Sequence, residues 1–99
     1  MNGIIVEPAV LESTASTMEN INMEVNQIIK ELYGTVDMLK AFWQGEDNTA
    51  FVNQIIGYQD DFHKIDVLMI QYIEFLRNSA RAYRQTQNEL AVQVLNLTN

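Results

Sequence analysis

The sequence predicts an all-α protein: an antiparallel helical hairpin, helix-turn-helix, that dimerises into a four-helix bundle. Three observations lead there. Apolar residues recur at alternating spacings of four and three on both sides of the midpoint, which keeps one stripe of a helix facing one partner helix. The two periodic stretches are interrupted once, at Phe42-Trp43-Gln44-Gly45, which holds the only tryptophan and one of the four glycines. Each stretch also carries apolar residues beside its stripe, more than an isolated hairpin buries.

The elements follow in order within a single domain over residues 1–99. Residues 1–6 are a short, β-branched, extended lead. Glu7-Pro8 opens the first helix, expected over about 8–43, because proline at the first helical position gives up only an N–H that had no partner. With Glu7 as the cap, Val6 and Leu11 stand where a hydrophobic staple places them. Leu11, Met18, Val25, Leu32 and Leu39 then fall seven apart, and Ala15, Ile29, Val36 and Trp43 interleave. At 1.5 Å per residue such a helix is about 50 Å long. Asn22 interrupts the stripe; it either fixes register or partner choice at some cost in stability, or points to solvent.

The turn is expected over about 44–47. Gly45 suits the left-handed conformation that often closes a helix, and Glu46-Asp47-Asn48 suits the positive end of the next one. The second helix, about 48–95, carries Phe51, Ile55, Tyr58, Phe62, Ile65, Met69, Tyr72, Leu76, Tyr83 and Leu90 as its seam. The seam weakens at Ser79 and Thr86. Gly34 and Gly57 lie off the seams and mark either a bend or a close helix approach; each costs about 1 kcal/mol relative to alanine.

A turn near Gly45 brings Glu7 and Glu12 towards Arg77, Arg81 and Arg84, which are half of the six basic residues. These charges are either a solvated face, each pair contributing about 0–1 kcal/mol, or a device favouring this register. Beside the seams lie Ile21, Ile28 and Phe42 on the first helix, and Val52, Ile56, Leu68, Ile70, Ile73 and Phe75 on the second. A patch of that kind marks an association surface, and two hairpins in a four-helix bundle are the simplest way to cover it.

Composition narrows the function classes. Six basic against thirteen acidic residues leave a net charge of −7, which disfavours nucleic acid as a partner. There is no cysteine, so disulfides and thiolate metal sites are excluded. The start of the chain has no basic leader followed by an apolar core, so no ordinary signal peptide is expected. No apolar run reaches the roughly 20 residues of a membrane span. Membrane-surface binding is opposed by the negative charge and few lysines.

Asp60, His63 and Asp66 share a helical i, i+3 spacing, but one histidine cannot build the paired carboxylate-histidine motifs of a di-iron bundle. A lone histidine also makes a nucleophilic triad improbable. No catalytic residue, metal or cofactor is expected, and the chain reads as a non-enzyme. Trp43 either locks the turn against Phe51 or also contributes to a surface that another protein recognises.

Trp43-Gln44-Gly45, central in a roughly hundred-residue chain and flanked by amphipathic helices, resembles the WXG family of small ESAT-like proteins. The resemblance covers the whole chain, including the Ile4-Ile5-Val6 lead with Pro8 and the aromatic Phe51. It implies export by a type VII secretion system without a cleaved signal, after folding in the bacterial cytoplasm. The implied partners are a second copy or a related hairpin, the membrane ATPase of the apparatus and, in a second reading, a larger secreted toxin escorted by this chain as a dedicated helical partner. The resemblance also implies a composite export signal, formed by the Trp-x-Gly turn (Trp43, Gly45) and a C-terminal tyrosine followed four residues later by an acid. Tyr83 fits that pattern, but Gln87 replaces the acid, and Glu89 lies two residues further on, on another helix face.

Overall fold

A computed structural model describes residues 6–42 and 46–98. Nearly all of them lie in two helices, α1 over Pro8–Lys40 and α2 over Glu46–Thr98. The helices run antiparallel as a hairpin measuring 82 × 23 × 18 Å. Its Cα radius of gyration is 22.9 Å, against about 13 Å for a compact chain of this length. A slab this thin has a core one side chain deep, and most of its large apolar residues keep contact with solvent.

The start of α1 follows its sequence. Glu7 is extended (φ −71°, ψ 141°) and Pro8 occupies the first turn. The Glu7 side chain makes no capping bond; its backbone carbonyl instead accepts from the N–H groups of Val10 and Leu11 at 3.0 and 3.3 Å. Val6 and Leu11 are both half-buried. At the other end the last turn tightens, with Ala41 N–H donating to the Met38 carbonyl at 3.2 Å and Phe42 N–H to the Leu39 carbonyl at 3.0 Å. Such three-residue bonds satisfy carbonyls that the ending helix leaves without donors. The regular helix therefore stops at Lys40 rather than about residue 43. Trp43, Gln44 and Gly45, and with them the expected glycine closure, lie outside the described residues.

Facing α1, α2 carries a strict seven-residue series, Val52, Gln59, Asp66, Ile73 and Ala80, of which Gln59 stays exposed, interleaved with Ile55, Phe62, Met69 and Leu76. From α1 come Pro8, Leu11, Ala15, Met18, Asn22, Asn26, Ile29, Tyr33 and Val36. The α1 series contains two successive steps of four, at Met18-Asn22-Asn26, an insertion that locally unwinds a coiled coil. Near the open end, Ala15, Ile73 and Leu76 form the core, with Leu11 and Met18 packed against them. Ala15 and Ala80 are wholly buried, their small side chains allowing close approach there. Nearer the turn, Tyr33 fills the seam, meeting Phe62 edge-on at 6.4 Å between ring centres. Its hydroxyl donates to the Ile55 carbonyl at 2.6 Å.

Three residues expected beside the seam and wet in a lone hairpin are placed differently. Val52 (5% exposed) and Ile73 (4%) are core residues, and Ile56 is half-buried. The polar residues at 59 and 66 are the reason: a reading that follows apolar side chains steps around them, onto Tyr58 and Ile65. The two glycines mark no close approach inside the hairpin, since a Cβ at Gly34 or Gly57 would meet nothing within 4 Å.

Candidate association surface

One edge of the hairpin is polar and ties the helices together. Asn22 and Asn26, one turn apart on α1, both donate through Nδ2 to the same Asp66 oxygen at 2.8 Å. Two donors favour the charged carboxylate, and these bonds hold Asp66 below its ordinary pKa against the opposing effect of burial. Asn22 is thus turned towards α2 rather than to solvent. Towards the open end, Arg77 bonds Glu19 at 2.9 Å and Arg84 pairs with Glu12. The bond and charge of Arg77 lower the Glu19 pKa as well. Arg81 bonds Asn78 on its own helix. Of the acids expected to face the arginines, Glu12 does so, and Glu19 takes the place expected of Glu7. Burial, with Asp61 adding repulsion, raises the Tyr33 hydroxyl.

A pH dependence follows from these carboxylates. A group with a lowered folded pKa adds stability above its unfolded pKa and loses it as the pH falls through the folded value. The melting temperature is therefore expected to fall between about pH 5 and pH 2, and to fall less steeply in Asp66→Asn. Thermal melts followed by circular dichroism across that range check this; identical slopes in both proteins would show that the Asp66 contacts contribute nothing.

The neighbouring broad face is apolar. Ile21, Val25, Ile28 and Leu32 step along α1 at spacings of four and three, between 41% and 63% exposed. Ile65, Leu68, Tyr72 and Phe75 do the same on α2, between 52% and 63% exposed. In antiparallel helices these stripes stand on the same side of the slab, each about a quarter-turn from the inner seam. Tyr72 and Phe75 lie against each other at 6.1 Å between ring centres. Phe42 is 78% exposed beside the turn.

The seam read from the sequence therefore divides in two. Leu11, Met18, Ile29, Val36, Leu39, Ile55, Phe62, Met69 and Leu76 are buried or half-buried between the helices. Val25, Leu32, Phe51, Tyr58, Ile65 and Tyr72 are exposed. Asn26, Tyr33 and Asp66, which build the cross-helix contacts, were not singled out as seam residues; the seven-residue series through Val52, Asp66 and Ala80 was the signal for the last. Of the export residues, Trp43 and Gly45 lie outside the described residues. Tyr83, Gln87 and Glu89 are exposed on α2, with Glu89 accepting from Gln85 Nε2 at 3.3 Å.

Among the described residues no three acidic or histidine side chains stand where they could hold a metal ion, and neither helix is long and apolar enough to cross a membrane. The hairpin leaves a broad face of large apolar side chains open on one side.

The family described as "Proteins of 100 residues with WXG" (WXG100) matches residues 3–88, and the chain belongs to it. The fold is similar to that of EsxA from Geobacillus thermodenitrificans (crystal form I), with a TM-score of 0.78 and 26% identity over 88% of this chain and 97% of that one. No curated protein matches the sequence. Membership places the chain among the small ESAT-like helical proteins of type VII secretion.

Proposed function

We propose that the protein is a type VII secretion substrate that leaves the cell as a homodimer, two hairpins closing their apolar faces into a four-helix bundle. The observation that carries this reading is the double stripe of Ile21, Val25, Ile28 and Leu32 with Ile65, Leu68, Tyr72 and Phe75. All eight are large apolar residues left at least 41% exposed by the hairpin itself. Contiguous apolar surface on this scale marks an association site, and helices with stripes of the same period pack against one another. In this reading the chain folds in the bacterial cytoplasm and is exported without a cleaved signal, driven by the membrane ATPase. The Trp43 turn and the Tyr83 region are the parts recognised.

A second reading makes the chain the dedicated helical partner of a larger type VII toxin. Gln87 favours it, since the neutral amide replaces the acid of the tail motif and leaves that part of the signal to a partner. Asn22 gives it no support, being satisfied within its own hairpin by Asp66.

Export is tested by expressing the chain in a cell with a type VII apparatus, with and without its ATPase. The protein is expected in the medium only when the ATPase is present. Trp43→Ala is expected to keep the helicity and mass of the parent and to remain inside the cell. Retention of the parent chain whether or not the ATPase is present would exclude autonomous export, and recovery of export on adding a toxin partner would favour the second reading.

A further inference from the structure

The end of α2 outruns α1. The cross-helix ion pair nearest the chain ends joins Arg84 to Glu12, and every residue from Arg81 to Leu97 is exposed. At 1.5 Å per residue, residues 85–98 carry the helix about 21 Å beyond that pair. A second hairpin centred on the apolar face would end near the level of Pro8, so this arm projects past it too. The arm is not featureless. Tyr83, Gln87, Leu90, Val94 and Leu97 follow one another at steps of four, three, four and three, and Leu90, Val94 and Leu97 are 54%, 58% and 86% exposed. No charged side chain follows Glu89. The family match ends at residue 88, so Leu90, Val94 and Leu97 lie outside the matched stretch.

We propose that this arm pairs with the same arm of a second copy, antiparallel, with Leu90 of one against Val94 of the other. The stripe has the period of a two-helix seam, and it is self-complementary. An antiparallel pair in that register buries Leu90 and Val94 twice over and sets Leu97 against Gln87. Charge bears on the place: each chain carries −7, so two copies repel least along the stretch after Glu89, which has no charged side chain. The contact involves a few side chains, well under the roughly 1,200 Å² of a stable interface, and it forms at high concentration. In the homodimer proposed above the two arms point from opposite ends, so arm pairing joins dimers into open chains. The chains rest on that dimer; the arm pairing does not.

Sedimentation velocity on the full chain, from micromolar to millimolar concentration, reads both contacts. The weight-average mass is expected to climb past twice 11.4 kDa, while Leu90→Glu/Val94→Glu, with both changes at exposed positions, stops at twice that mass with unchanged helicity. Because the chain has no cysteine, an equimolar mixture of Leu90→Cys and Val94→Cys chains is expected to cross-link several-fold faster than a mixture of Leu90→Cys and Val92→Cys. A mass that never exceeds the dimer, with no effect of the arm variant, overturns the proposal, as does equal cross-linking in the two mixtures. A dimer that is halved by the arm variant but survives Ile65→Glu/Leu68→Glu would leave the arm pairing standing and overturn the apolar-face dimer instead.

Discussion

Glutamate at both Ile65 and Leu68 is expected to reduce the protein at micromolar concentration from a dimer to a single chain of 11.4 kDa. These side chains are 52% and 63% exposed in the hairpin, so the substitution removes little from the folded monomer. In a closed bundle each would be covered by the partner, and twofold symmetry would bury four carboxylates at once. A buried carboxylate without a partner costs several kcal/mol, while micromolar association is worth only about 8 kcal/mol in total. The effect is thus all or none in the accessible concentration range. Light scattering on a size-exclusion peak reads the mass, and circular dichroism on the same peak reads the helix. An unchanged dimer would move the interface away from this face. A variant that loses mass and most of its helix together would show that the hairpin depends on its partner to fold.

The second large effect lies inside the hairpin. Ile73→Ala is expected to destabilise the fold by about 2–4 kcal/mol. Ile73 is 4% exposed and packs with Ala15 and Leu76 at the centre of the open-end core. It packs against an alanine on α1, which has no side chain to swing into the space. Against a usual total of about 5–15 kcal/mol for a small domain, that loss removes a large share of the margin. The same truncation at Ile28, which is 63% exposed, is the internal comparison: it should leave the hairpin intact and weaken only association. Urea titration of both variants distinguishes the two sites, and equal midpoints would mean that the core has been assigned to the wrong face.

Much of this architecture was legible because helices announce themselves by period. Pro8 fixed the start of α1, the apolar interruption at Phe42-Trp43-Gln44-Gly45 fixed the reversal, and the arginines of α2 came to face acids of α1 as the antiparallel register requires. The Trp-x-Gly motif with its flanking helices was enough to name the family. Less legible was the assignment of each apolar residue to an inner or an outer face. Two stripes a quarter-turn apart, both with a seven-residue period, merge into one broad apolar band when only hydrophobicity is followed. What separates them are the polar residues of the inner seam. Asn26 and Asp66 belong to no apolar stripe, yet each completes the other across the helices. Tyr33 was hidden for a similar reason, since its hydroxyl is satisfied by a backbone carbonyl, a partner that no sequence pattern displays.

The antiparallel arrangement also sets the order in which the molecule can assemble. Along the hairpin the cross-helix bonds close ever longer stretches of chain: 22 residues for Tyr33 with Ile55, 40 for Asn26 with Asp66, 58 for Glu19 with Arg77 and 72 for Glu12 with Arg84. The entropy lost in closing a loop grows with its length, so contacts beside the turn form first and each one shortens the loop left for the next. Folding is then a zipper that starts at Tyr33 and ends at the arginines. Opening runs the other way, and native-state hydrogen exchange should be fastest for amides near Glu12 and Arg84 and slowest around Tyr33. A protein built in this fashion frays from the end that holds Glu12 and Arg84 while the contacts around Tyr33 stay shut.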